Sequence, residues 1–215
     1  MPRIQLVNPN TSSATTAMMV EMACRSVPHG WVVEGVTARR GASLIVDAEA
    51  LALAAEAVLE LVPGLNADGV IVSAFGDPGA SELAERLGCP VIGIGEASIR
   101  AAAQQNRRFS IVTTTPQLVS AIRQRVTALG FAAQLASIRV TRHDPTALTA
   151  DEVALETALG ELVEACRDED AASAVIVGGG PLARAAAAIA KRTEIAVIEP
   201  VPAAVQWLVG RLSAL

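Results

Sequence analysis

Aromatic side chains are nearly missing from this 215-residue chain: three Phe, two Trp and no Tyr. So few rings leave no stacking platform for single-stranded nucleic acid, and a net charge of −5 offers no basic stripe to a phosphate backbone. Nucleic acid is thereby excluded as a partner. Cysteine is scarce as well. Cys24, Cys89 and Cys166 lie far apart with no CxxC pair, and they read as core thiols rather than redox or nucleophilic groups. His29 and His143 stand in polar, turn-like contexts without metal-ligand spacing, so neither a metal nor a cofactor is expected. No apolar run approaches the roughly 20 residues that span a bilayer. Met1-Pro2-Arg3 passes straight into a strand-like run without a signal-peptide pattern, and a cytoplasmic protein with no membrane partner is the expectation. Charged residues amount to 18% against 52% hydrophobic, which excludes a disordered chain.

What the chain does contain is repetition. Arg3-Ile-Gln-Leu-Val-Asn-Pro-Asn-Thr11 returns in altered form as Arg108-Phe-Ser-Ile-Val-Thr-Thr-Thr-Pro116, and Val70-Ile-Val-Ser-Ala-Phe75 returns as Val175-Ile-Val-Gly-Gly-Gly180, both at an offset of 105 residues. A shared offset points to duplication of a half-domain. Each copy runs from a short apolar strand through a loop of small or hydroxyl residues into a helical pattern. In parallel α/β sheets such loops sit at the carboxyl ends of strands, where ligands bind. The loops after Val7, Val72, Val112 and Val177 are therefore expected to converge on one cleft.

Taken in order, strands are expected near 4–7, 31–37, 69–73, 90–94, 109–112, 134–140, 174–177 and 195–198, with helices between them and a last helix over 203–212. A helix from Ile45 to Leu61 and one from Ala150 to Cys166, the latter opened by a Thr149/Glu152 capping box, belong to that reading. Asn8, Asn10 and Thr11 place amides and a hydroxyl beside a helix start, which suits a carboxylate or an imide but equally builds a turn and a cap. Gly178-Gly179-Gly180 precedes a helix, yet the lysine and hydroxyl of a P-loop are missing, so a nucleotide site is weakly supported. Ser43 and Asp47 are lower-order cleft candidates.

Val7-Asn8-Pro9-Asn10-Thr11, Phe75-Gly76-Asp77-Pro78-Gly79, Gly93-Ile94-Gly95-Glu96-Ala97, Phe109 to Thr114 and Ala203-Ala204-Val205 together resemble the aspartate/glutamate racemase superfamily, closest to its hydantoin racemase branch. The resemblance spans nearly the whole chain. It implies two flavodoxin-like α/β parallel-sheet lobes related by pseudo-twofold symmetry, a cofactor-independent site between them and a homo-oligomer. The lobes would comprise residues 1–97 with 200–215, and residues 98–199. The family's racemases hold one cysteine in each half, one thiolate removing the α-proton and the other thiol returning it. Here the matching positions are Ala74 and Gly179. Neither carries a titratable group, so two-thiol proton transfer at those positions is impossible.

The resemblance then implies a small carboxylate, amino-acid derivative or hydantoin-like substrate. It would be bound by Asn8, Asn10, Thr11, Ala74, Phe75, Thr113, Thr114, Gly179 and Gly180, with Ser73, Asp77 and Glu199 as candidates for proton transfer in place of the thiols. Asp77 also reads as a turn cap, and Glu199 as a group that satisfies backbone donors. An isomerase using another base, a lyase or hydrolase on the same scaffold, and a non-catalytic binder are the competing outcomes.

Overall fold

A computed structural model describes residues 1–214. The first half runs β1 (Arg3–Asn8), α1 (Ser13–Cys24), β2 (Val32–Thr37), α2 (Ala48–Leu59), β3 (Gly69–Val72), α3 (Ala80–Arg86), β4 (Val91–Gly93) and α4 (Ile94–Ala102). The second half repeats the plan with β5 (Phe109–Thr113), α5 (Val119–Ala128), β6 (Leu135–Val140), α6 (Pro145–Thr149), α7 (Glu152–Asp168), β7 (Ala174–Val177), α8 (Ala183–Ile189), β8 (Ala196–Ile198) and α9 (Pro200–Leu212). Each half forms a four-stranded parallel sheet, ordered β2-β1-β3-β4 and β6-β5-β7-β8. The duplication extends to register: Leu6 pairs Ile71 as Ile111 pairs Ile176, and Val7 pairs Val72 as Val112 pairs Val177.

The central strands are continuous apolar runs because both of their faces are covered, as parallel sheets require. On the first sheet, Ile4, Leu6 and Ile71 face α1 and α9, while Val7, Val70 and Val72 face α2 and α3. On the second, Phe109, Ile111 and Ile176 face α4 and α5, and Val112, Val175 and Val177 face α7 and α8. The last helix of each half is exchanged. From α4, Ile99 and Ala102 enter the core of the second sheet, whereas α9 returns Ala204, Val205 and Leu208 to the first. The two exchanged helices pack on each other, so the lobes share a core.

Several local expectations are corrected. Asp47 caps α2 by accepting from the Ala50 N–H at 2.8 Å, so Ile45 and Val46, expected to open the helix, precede it as irregular chain. Asp151, not Thr149, caps α7, accepting from Val153 and Ala154 N–H, and the Thr149 hydroxyl donates to the carbonyls of Pro145 and Thr146 inside the unforeseen α6. Cys166 is buried as expected, but Cys24 is exposed and Cys89 half-buried. Among the described residues no helix is long and apolar enough to cross a membrane, and no cluster of His, Cys, Asp or Glu is placed to hold a metal.

Candidate functional site

A cavity of about 60 Å³ lies between the lobes at the carboxyl ends of the strands, lined by the loops that follow β1, β3, β5 and β7. Through Leu44, Thr149 and Pro181 it adjoins a larger open groove of about 470 Å³. Ser43 lies in the groove.

The loop after β1 is held from within. Asn8, fully buried, donates from Nδ2 to Asn10 Oδ1 at 2.8 Å, to the Ser12 carbonyl at 3.1 Å and to Thr16 Oγ1 at 3.0 Å, and its Oδ1 accepts the Asn10 N–H. Both ends of its amide are engaged, and Asn8 is not among the residues that line the cavity. Asn10 does line it. Its Oδ1 is occupied by Asn8 and Ser12, leaving the Asn10 NH₂ without an acceptor among the described residues. Thr11 turns away, its N–H bonded to the Ala42 carbonyl.

After β3, Ser73, Ala74, Phe75 and Gly76 line the cavity. The Ser73 hydroxyl donates to the Val7 carbonyl at 2.8 Å, which ties this loop to β1. After β5, Thr113 and Thr115 pair their hydroxyls at 3.1 Å, and all of Thr113 to Thr115 line the wall. After β7, Gly178 to Gly180 close the opposite side. The first lobe crowds two of these glycines. A Cβ on Gly178 would lie 3.1 Å from the Phe75 ring, a tight contact, and one on Gly180 would lie 2.7 Å from both the Ser73 carbonyl and the Met19 sulfur, too close without a shift. Gly179 has φ +144°, a conformation that L residues rarely adopt. Interlobe packing and backbone conformation thus favour glycine along this loop.

The chemistry of the wall is uniform. The backbone N–H groups of Ala74, Phe75, Gly76, Thr114, Thr115, Gly179 and Gly180 have no acceptor among the described residues. The cavity is also lined by the apolar side chains of Leu44, Ile45, Leu51, Leu118, Ala121 and Ile122, drawn from both lobes. Sequence reading missed them, because these residues come from an irregular loop and from helix starts that carry ordinary core patterning. Among the described residues no ionisable side chain lines the cavity.

The three proton-transfer candidates therefore separate. Ser73 reaches the cavity, with its hydroxyl committed to Val7. Asp77 does not line it. Both carboxylate oxygens of Asp77 are occupied, by the N–H groups of Gly95 and Glu96 at 2.7 Å each and by Arg125 Nε at 3.1 Å. Burial pushes its carboxyl up to about 6, against the pull of Arg125 and the two N–H groups. Glu199 is the N-cap residue of α9, lies outside the cavity, and is pushed up by burial.

The family model for Asp/Glu/Hydantoin racemase matches residues 4–208. The chain belongs to this family. It is 29% identical over 206 residues to the hydantoin racemase of Paenarthrobacter aurescens, covering 94% of this chain and 87% of that protein. Solved structures agree. The allantoin racemase of Klebsiella pneumoniae superposes with a TM-score of 0.93 at 32% identity over 100% of this chain and 88% of its own, and that of Pseudomonas fluorescens with 0.93 at 30% over 99% and 91%. Among the described residues, none of the side chains that line the cavity is ionisable and none of the three cysteines lines it. Ala74 and Gly179, where the family resemblance would place cysteines, both line it.

Proposed function

We propose that this family member is a receptor for a small molecule bearing carbonyl or carboxylate oxygens and an apolar substituent, and that it does not racemise its ligand by side-chain proton transfer. One observation carries this reading: the cavity is lined by residues whose backbone N–H groups have no acceptor, by threonines and by apolar side chains, with no ionisable side chain among the described residues. Such donors suit oxygens that carry partial or full negative charge. A free α-amino acid is disfavoured, because its buried ammonium would meet no counter-charge. Cyclic ureides and malonate-type carboxylates fit, and the hydantoin and allantoin named for the relatives above are ureides of this kind. No cofactor enters the reading. The three unpaired cysteines fit a reducing cytoplasm, and a homo-oligomer is expected from the family resemblance.

The test is proton NMR in deuterium oxide with the purified protein and a panel of 5-substituted hydantoins, N-carbamoyl amino acids, free amino acids and malonates. Saturation transfer to a ureide or malonate, with no deuterium at its α-carbon and no product, is the expected result. Deuterium uptake that Asn10→Ala abolishes would overturn the receptor reading in favour of an isomerase. New products would establish a lyase or hydrolase.

A further inference from the structure

The motifs Phe75-Gly76-Asp77-Pro78-Gly79 and Gly93-Ile94-Gly95-Glu96 stand well apart in the chain, yet the fold makes them one device. Asp77 adopts φ +51°, in the left-handed region that non-glycine residues rarely occupy. That conformation lays its carboxylate across the start of α4, where the Gly95 and Glu96 N–H groups donate to Oδ1 and Oδ2. Gly93 and Gly95 are glycine for a steric reason. A Cβ on Gly93 would overlap the Asp77 carboxylate, and one on Gly95 would overlap the Phe75 carbonyl. From the second lobe, α5 contributes Arg125, which donates from Nε to Asp77 at 3.1 Å and from Nη2 to Glu96 at 2.8 Å. Glu96 is in turn paired with Arg100 at 2.8 Å.

We propose that Asp77 is a positioning residue: it locks the loop presenting the Ala74, Phe75 and Gly76 N–H groups to α4 and, through Arg125, to the second lobe, so that the interlobe contact sets the donor geometry of the cleft. The charged groups facing it are Arg125 from α5, with Glu96 and Arg100 from α4 behind that pair. Burial places the carboxyl near 6, within reach of a titration. The inference concerns the unliganded protein, so it stands or falls separately from the receptor reading.

The experiment follows backbone amides by ¹⁵N-correlated NMR between pH 8 and 5, without ligand. The Phe75 and Gly76 amides are expected to shift with those of Gly95 and Glu96 at one common midpoint near 6. Arg125→Met should raise that midpoint for all of them, since a neighbouring positive charge favours the carboxylate. Asp77→Asn should abolish the transition; should that variant fail to fold, Arg125→Met still decides. The proposal is overturned if Phe75 and Gly76 stay fixed while Gly95 and Glu96 titrate, if the midpoint ignores Arg125, or if none of these amides titrates.

Discussion

The loops after β3 and β7 occupy equivalent places in the duplicated fold, yet they are built from different backbone. At Ala74 the chain has a negative φ, so a larger side chain brings no left-handed strain there. At Gly179 the φ of +144° and the crowding of a would-be Cβ by Leu182, at 3.1 Å, oppose any side chain. The same exchange to cysteine therefore meets different backbones in the two loops.

The sharpest way to break this comparison is to install the cysteines one at a time. Gly179→Cys is expected to destabilise the fold by about 2–4 kcal/mol, combining backbone strain with overpacking, whereas Ala74→Cys should stay within about 1 kcal/mol. Equal denaturation midpoints for the two variants would show that the β7 loop relaxes freely and the asymmetry is not built in.

The loops after β1 and β5 allow a similar contrast. Asn8→Ala removes the buried amide that bonds Asn10, Ser12 and Thr16, and a loss of about 2–3 kcal/mol is expected in urea unfolding. Thr113→Ala removes one hydroxyl pair and should lose about 1 kcal/mol. A larger loss for Thr113→Ala would mean that the second half, not the first, anchors the cleft.

Asp77 has no acidic counterpart in the second half, where its position in the repeat falls on the neutral Leu182, and pH exposes that inequality. Its folded pKa of about 6 lies above the ordinary 3.8, so protonation favours the folded state. The stability from this group is fully present below the unfolded value and is lost as pH rises through about 6. Between pH 5 and 7.5 the wild type should therefore lose about 1 kcal/mol that Asp77→Asn does not lose. Parallel stability curves for the two proteins would contradict the buried, ionisable assignment.

The smallest stability effect is expected at Thr114, whose hydroxyl lines the cavity and has no partner among the described residues. Thr114→Ala should alter unfolding by no more than about 0.5 kcal/mol, yet weaken binding of a ureide or malonate roughly tenfold if its hydroxyl meets the ligand. Calorimetric titration beside a melting curve separates the two effects. A variant that melts and binds like the wild type would remove Thr114 from the site.

The fold was legible because its signals are local and repeated: apolar runs at one offset, each followed by a small-residue loop, specify parallel strands with ligand-facing ends. That pattern by itself placed Asn10, Ser73, Ala74, Thr113, Thr114 and Gly179 around one cleft, and all of them line the cavity. Residue identity alone also shows that Ala74 and Gly179 carry no titratable side chain. Tertiary structure decided the rest. Asn8 and Asp77 carry polar groups suited to ligand binding or catalysis, and only the tertiary structure shows which partners those groups already hold, distant in sequence for Asp77. The apolar lining joins residues from both lobes, and the Gly178–Gly180 loop answers to Phe75, Ser73 and Met19 across the interface. Composition and spacing report what a segment does within its own half. Which groups remain free to meet a ligand depends on contacts made after the two halves close on each other.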